Sequence, residues 1–532
     1  MKFTPLSLFI GIALANSAVA DNNTEQNFIQ QCEALRNTNI YNTVITRADF
    51  IKDGSVDSDA AAALSGASGT DEKLIPHCLV EGEIDSRTGV NSRHYGSQFQ
   101  LRLPENWNNK FLFQGGGGMD GFVGAAIGSI PIRSSTATPA LQRGYAVVST
   151  DSGHSGRDAT FAEDQQARID LSYAAIGKVT GVAKQIIAQV YAKKPSKSYF
   201  MGCSNGGRSA LIAAQRYPTE FDGVMVGNPG FRLSRAALNA VWETNHYNAA
   251  APSNGQGDKI LADALSQKDF DTIVKAVLKK CDAKDGLADG IINAWEKCDF
   301  NPDSLKKALG KEKLALIKAV FGGPKNSKGE AIYTGFPFDT GIAAKGWRAW
   351  KLGNSQTAEP NSAFATMAMS SVNHLFMTPY QPQFDLSKFN WDKDVVKTAQ
   401  MAAMYDAVST DYSTFNARGG KLIIIEGVSD PVFSALDLRN WFRQLQADNP
   451  NSGEFARLFM VPGMNHCGGG PATDNFDPLT ALENWTDKGE APERLIATGK
   501  SFPARSMPLC AYPKVATYTQ GDQNKAESFV CK

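Results

Sequence analysis

Ser204 sits in Tyr199-Phe200-Met201-Gly202-Cys203-Ser204-Asn205-Gly206-Gly207-Arg208-Ser209-Ala210, where an apolar strand-like run passes through G-x-S-x-G into a helix start. A hydroxyl becomes a nucleophile only when a neighbouring base takes its proton, and a sharp turn between strand and helix presents it for that purpose. Side chains at positions 202 and 206 would collide with the adjoining strand and helix, which explains the glycines. The same pattern also fits a Gly-rich turn with an idle serine, so a base and an orienting carboxylate must be found. In hydrolases built this way they follow in the order Ser, Asp, His at strand ends. Of the six histidines, His77, His94 and His154 precede Ser204, leaving His246, His374 and His466. Only His466, in Val461-Pro462-Gly463-Met464-Asn465-His466, lies in a Gly-rich loop directly after an expected strand. Asp430 follows another, in Gly427-Val428-Ser429-Asp430-Pro431-Val432. Although Asp before Pro also forms turns, its place after a strand favours the orienting role.

Cys203 immediately precedes Ser204 and Cys467 immediately follows His466. If serine and histidine meet, the two cysteines come within disulfide range and clamp the base to the nucleophile loop. The chain starts with Met1-Lys2, an apolar stretch from Leu6 to Leu14, and Ala18-Val19-Ala20, which reads as a signal peptide over 1–20 and a mature chain from Asp21. That apolar stretch is shorter than the ~20 residues needed to span a bilayer, so a soluble secreted or periplasmic protein is expected. Export places all eight cysteines in an oxidising compartment, and an even number favours four bridges. Locality pairs Cys281 with Cys298 and Cys510 with Cys531, leaving Cys32 with Cys78 by elimination. No C-x-x-C zinc spacing occurs.

The elements that must hold these groups follow from periodicity. Strand-like runs at Phe99–Leu103, Lys110–Gln114, Tyr145–Thr150, Ser198–Met201, Gly223–Gly227, Lys421–Glu426 and Arg457–Val461 alternate with helical ones. From Ile169 to Lys193 apolar residues recur at three- and four-residue steps, marking the buried face of a helix. Such alternation predicts an α/β protein with a parallel sheet covered by helices. Between Phe231 and about Thr398 the character changes to amphipathic helices, Gly/Asn/Ser loops and scattered tryptophans. We therefore read 21–231 and 399–532 as a catalytic domain and 232–398 as an inserted one. The 532 residues carry 54 Lys plus Arg against 54 Asp plus Glu and no basic block, which excludes the electrostatic footprint of a nucleic-acid binder.

The Cys-Ser, Asp and His-Cys pattern resembles the tannase and feruloyl esterase family, which includes mono(2-hydroxyethyl) terephthalate hydrolases. The resemblance extends to Gly115-Gly116-Gly117-Gly118-Met119-Asp120-Gly121, to Thr150-Asp151-Ser152-Gly153-His154, and to the position of the inserted segment. It implies an α/β-hydrolase core, a large lid over the active site, and esterase activity on aromatic acyl esters. The glycine run after Phe111-Leu112-Phe113 stands where such hydrolases present one oxyanion-hole N–H, here Gly116 or Gly117, with the second from Asn205. A phosphate cradle is excluded because the required Lys-Ser/Thr ending is missing.

Within Cys281-Asp282-Ala283-Lys284-Asp285-Gly286-Leu287-Ala288-Asp289-Gly290-Ile291 three carboxylates crowd a short Gly-containing loop, a density of hard oxygen ligands that suits calcium. The spacing departs from the EF-hand pattern. The resemblance implies a structural calcium in the lid held by the side chains of Asp282, Asp285 and Asp289 and the carbonyls of Leu287 and Ile291.

The expected chemistry is acyl transfer, with Ser204 attacking an ester carbonyl, His466 shuttling the proton and Asp430 holding the imidazolium. No Lys or Arg occurs from Leu352 to Ser387, so a lid pocket built from this stretch has nothing to pair with a second carboxylate. That favours small neutral phenolic esters of ferulate, coumarate or gallate over a terephthalate monoester. A peptidase needs a site for a peptide amine or terminus, and none is evident. A noncatalytic binding protein on this scaffold would normally lose a triad member, and all three are present.

Overall fold

Along the central strands successive apolar side chains fall into two separate hydrophobic clusters. Phe111, Phe113, Phe200, Val224, Val226, Leu422, Ile424 and Leu458 join one. Leu112, Tyr199, Met201, Met225, Ile423, Ile425, Phe459 and Val461 join the other. A strand whose side chains are buried on both faces must lie inside a layered structure with helices above and below. The computed structural model, which describes residues 25–56 and 70–532, has this architecture. The expected signal peptide, 1–20, lies outside the described residues.

The main sheet has nine strands: β1 (Thr43–Ile51), β2 (His77–Thr88), β3 (His94–Pro104), β4 (Lys110–Gln114), β5 (Ala146–Thr150), β6 (Lys197–Cys203), β7 (Gly223–Gly227), β8 (Lys421–Gly427) and β9 (Ala456–Val461). Their spatial order is β1-β2-β3-β5-β4-β6-β7-β8-β9. The pairs from β1 to β5 are antiparallel, and those from β5 through β9 are parallel. Strands β3 to β9 therefore lie close to the sequence reading, except that β3 begins at His94 rather than Phe99, lengthened by antiparallel pairing with β2. Strands β1 and β2 were not read from the sequence, and their antiparallel pairing makes the sheet mixed where a parallel one was expected.

Helix α1 (Ala175–Tyr191) continues from Gln165–Ile169 through one π-turn at Asp170–Ala174. Its Ile176, Val179, Val182, Ile186, Ile187 and Val190 pack on the sheet. Helix α2 (Asn205–Arg216) follows β6 directly. The segment between β7 and β8 adds no strand to the main sheet. It contains α3 (Leu233–Ala250), α4 (Gln267–Cys281), α5 (Lys306–Gly322) and α6 (Lys345–Lys351). Phe270, Ile273, Val277, Ile317, Val320, Phe321 and Trp347 of this segment form a further hydrophobic cluster, joined by Val428, Val432 and Phe433 of the loop after β8. Helix α7 (Ala435–Asp448) then leads back to β9, and α8 (Pro478–Lys488) covers the same face as Tyr199 and Ile423 through Leu479, Leu482 and Trp485. Four disulfides join Cys32 to Cys78, Cys203 to Cys467, Cys281 to Cys298 and Cys510 to Cys531, the pairing read from the sequence. Among the described residues no helix is long and apolar enough to cross a membrane.

Candidate active site

Parallel strands align their carboxyl ends on one edge of a sheet, and in open α/β sheets that edge is where side chains converge. Here it gathers the loops after β4, β6, β7, β8 and β9. Ser204 occupies the turn between β6 and α2 with φ 64° and ψ −125°, a left-handed conformation that strains a residue bearing a Cβ by about 1–3 kcal/mol. The backbone is crowded enough to hold it there. A Cβ at Gly202 would stand 2.3 Å from the Gly206 carbonyl oxygen, and one at Gly206 2.3 Å from that of Gly116.

His466 Nε2 lies 2.8 Å from Ser204 Oγ, and its Nδ1 lies 2.8 Å from Asp430 Oδ2. Asp430 is buried but well supplied with donors. Asn228 Nδ2, at the end of β7, donates to Oδ2 at 2.7 Å, and the N–H groups of Val432 and Phe433 donate to Oδ1. Carboxylate and imidazole orient each other, which selects the tautomer with its proton on Nδ1 and leaves Nε2 to accept from the serine. Trp350 and Phe433 stand edge-on to the His466 ring at 5.2 and 5.3 Å. The Cys203–Cys467 bridge, with Cα atoms 6.1 Å apart, ties the turn of the serine to the loop of the histidine.

A second network fixes the amide start of α2. Asp120 accepts from Asn205 Nδ2 at 3.1 Å and from the Ser152 hydroxyl. Asn205 Oδ1 accepts from Arg208 Nε and from the Tyr405 hydroxyl, each at 2.7 Å. Arg208 is fully buried, with its guanidinium over the Tyr405 ring and bonded to the carbonyls of Leu171 and Ser172. Burial pushes the Asp120 carboxyl up to about 6, with the bonds from Ser152 and Asn205 and the Arg208 charge pulling the other way. With its side chain held on every side, Asn205 presents a rigid backbone N–H at a helix start, where such groups lack an intrahelical acceptor.

The cleft at Ser204 is partly open and spans about 500 Å³ with its share of open solvent, of which about 40 Å³ admits a water-sized sphere. Gly118 and Met119 come from the loop after β4, whereas Leu233, Ala236, Ala237, Trp350, Phe364, Met367, Ala368 and Ser371 come from the insertion. Val432 and Phe433 complete the wall, and no lining side chain is charged. Gly116 and Gly117 are not among the lining residues. A Cβ at Gly116 would touch the Asp120 carboxylate at 3.0 Å. The neighbouring Lys351 is 1% exposed and turned away, its ammonium 2.6 Å from Glu243 and caged by Phe336, Trp347 and Phe364.

Residues 78–532 match the model of a protein family described as tannase and feruloyl esterase. The chain belongs to that family. It is 36% identical over 557 residues to mono(2-hydroxyethyl) terephthalate hydrolase of Piscinibacter sakaiensis, covering 94% of this chain and 91% of the relative. To a probable feruloyl esterase of Arthroderma benhamiae it is 29% identical, over 84% of each. Feruloyl esterase B of Aspergillus oryzae superposes with a TM-score of 0.77 at 20% identity, over 95% of this chain and all of that one, which shows the shared α/β-hydrolase-type fold. As a member of the tannase and feruloyl esterase family the protein is a carboxylic ester hydrolase.

Several side chains of this centre escaped the sequence reading. Asn228 stands directly after a strand, the same signal that exposed Asp430, but an Asn carries no charge to draw notice. Asp120 lies within the glycine loop after β4, where nothing in the sequence pairs it with a partner. Trp350 was one aromatic among several in the insertion, and only packing separates it from Trp347, which is core.

In the acidic loop, Asp282 accepts from the N–H groups of Asp289 and Gly290, and Asp285 from the backbone and side chain of Asn293. Asp289 is 2.6 Å from Arg505 of the carboxy-terminal hairpin. Among the described residues no group of three or more His, Cys, Asp or Glu stands ready around a metal position. The charge balance nevertheless suits a cation. Burial raises the Asp285 carboxyl to about 6 and also lifts Asp282, and the Asp289 charge adds to both shifts. Three carboxylates share one guanidinium, that of Arg505, so the loop carries a surplus of negative charge.

Proposed function

We propose that this protein is an exported serine esterase that cleaves esters of neutral aromatic acids such as ferulate, coumarate or gallate. The observation that carries the reading is an uncharged, aromatic-walled cleft opening onto Ser204 beside His466. Ser204 Oγ attacks the ester carbonyl as His466 Nε2 takes its proton, while Asp430 steadies the ring that becomes positive. The developing oxyanion receives the Asn205 N–H and a second N–H from the glycine run after β4, of which Gly118 rather than Gly116 or Gly117 lines the cleft. Collapse expels the alcohol with the proton from His466, and water, activated by the same base, releases the acid. The insertion acts as a lid whose Trp350, Phe364 and Phe433-facing wall sandwiches the aryl group.

A calcium ion held by Asp282, Asp285, Asp289 and the carbonyls of Leu287 and Ile291 would neutralise the acidic loop and add no chemistry. Ile291 packs with Met507, Cys510 and Phe529, so such an ion would brace the insertion against the carboxy-terminal hairpin. Four disulfides and the leader-like start support export.

A terephthalate monoester is a second reading, favoured by the 36% identity to the Piscinibacter hydrolase. It would place a carboxylate in a cleft without a facing cation. Initial rates on methyl ferulate, methyl gallate and mono(2-hydroxyethyl) terephthalate, with Ser204→Ala alongside, separate the two. Phenolic turnover that exceeds terephthalate turnover and vanishes in the variant is expected. A terephthalate preference overturns the neutral-acyl reading, and no turnover on any of the three removes the aromatic substrate class.

A further inference from the structure

The loops of Asp430 and His466 both rest on one buried carboxylate of the insertion. Asp339 Oδ2 accepts from Ser429 Oγ and from the Gly463 N–H, each at 2.7 Å. Ser429 is the residue before Asp430, and Gly463 opens the turn that carries His466. Two residues on, Gly341 completes the contact. Its N–H donates to Ser429 Oγ at 2.9 Å, and its carbonyl accepts from Asn465 Nδ2 at 3.0 Å, a group 3.1 Å from the Ser429 carbonyl as well. A Cβ at position 341 would meet the Gly463 oxygen at 2.4 Å and Ser429 Cβ at 2.5 Å, so only glycine lets the insertion approach this closely. Asp339 is fully buried, and its Oδ1 has no hydrogen-bond partner. An aspartate kept there despite the desolvation of an unmatched oxygen is costly as mere packing.

We propose that Asp339 is a positioning residue for ester cleavage, an insertion-borne carboxylate that holds the Asp430 loop in register with the His466 loop. The insertion is then part of the catalytic frame as well as a wall of the substrate cleft. The assignment rests on Ser204, His466 and Asp430 being the catalytic groups.

The test compares the full mature enzyme with Asp339→Ala and Asp339→Asn on methyl ferulate and on p-nitrophenyl acetate, whose acyl group is too small to need the aromatic cleft. Misplacing a catalytic group by about 1 Å costs on the order of 100-fold. Asp339→Ala is therefore expected to lower kcat on both esters by a similar factor of about 10 to 100 with KM little changed. Asp339→Asn, which keeps an acceptor oxygen for Ser429 and Gly463, recovers most of the loss. A variant slowed only on methyl ferulate, or altered only in KM, would reduce Asp339 to a support of the cleft and overturn the proposal. Unchanged kinetics on both esters would overturn it too. If Asp339→Ala does not fold, Ser429→Ala removes the hydroxyl bridge while leaving the carboxylate, and the same equal loss on both esters is required. Turnover that persists in Ser204→Ala sinks the underlying triad reading instead.

Discussion

Asp430 and Asp289 both turn a shielded carboxylate toward a group able to carry positive charge, and their surroundings are finished to different degrees. Asp430 receives Asn228, two backbone N–H groups and His466 from three separate loops, and Cys203–Cys467 locks segments 264 residues apart. Asp289 belongs to a loop whose carboxylates turn mostly onto N–H groups within the same stretch, closed by a bridge over only 17 residues. The first centre is assembled by the tertiary fold, with both Asp430 oxygens matched to donors. The second is local and keeps an excess of negative charge. On the proposed reading, preorganisation serves acyl transfer at the first site, and the second is where a cation would add stability.

The contrast breaks most sharply at Asp430. Asp430→Asn should lower kcat on a phenolic ester by on the order of 10⁴, because the amide no longer selects the tautomer that lets Nε2 accept the serine proton. A loss below tenfold would mean that the His466 orientation is held elsewhere. The two bridges give the next comparison. Replacing Cys203 and Cys467 together by Ala should reduce kcat by about 10 to 100-fold through loosened alignment and destabilise by about 2–5 kcal/mol. The Cys281→Ala, Cys298→Ala pair should lower the melting temperature and leave kcat at 25 °C unchanged. Equal kinetic losses from both pairs would erase the distinction.

Chelation probes the acidic loop alone. Stripping divalent ions should lower the melting temperature by on the order of 5 °C, with calcium restoring it and kcat at 25 °C unaffected. An unmoved melting temperature would remove the ion from this loop. The smallest effect concerns Glu426, on β8 just before the Asp430 loop, buried with no partner on either carboxylate oxygen. Burial lifts its carboxyl well above the usual range, and the charges of Asp430 and Asp437 add to the shift. A group raised on folding favours its protonated form in the native state. Its stabilisation is complete below the ordinary glutamate range and is lost as pH climbs through the raised value. Glu426→Gln should therefore gain in melting temperature relative to the parent between pH 5 and pH 9, on the order of 2 °C. A gap that shrinks with rising pH would show the carboxylate to be stabilised after all.

Ser204, Asp430 and His466 were legible because their signals are local. A strand-turn-helix pattern forces glycines around the serine, and an ionisable residue just past an apolar β-run lies on the carboxyl edge of a parallel sheet. The unbroken apolar run Leu422-Ile423-Ile424-Ile425 likewise announces a strand covered on both faces, which the two hydrophobic clusters bear out. Adjacency to the serine and histidine also made the pairing of Cys203 with Cys467 readable. The roles of Asn228, Asp120, Arg208, Tyr405, Trp350 and Asp339 were decided only by the tertiary structure. Each acts through a partner far away in sequence, as Asp339 does on Ser429 and Gly463 or Tyr405 on Asn205. Periodicity and turn chemistry record how a segment meets its own neighbours in the chain, so the sequence by itself determined which groups could react and on which elements they ride. Which buried donors and acceptors hold those groups still depends on distances between loops, and these exist only once the sheet and the insertion have packed together.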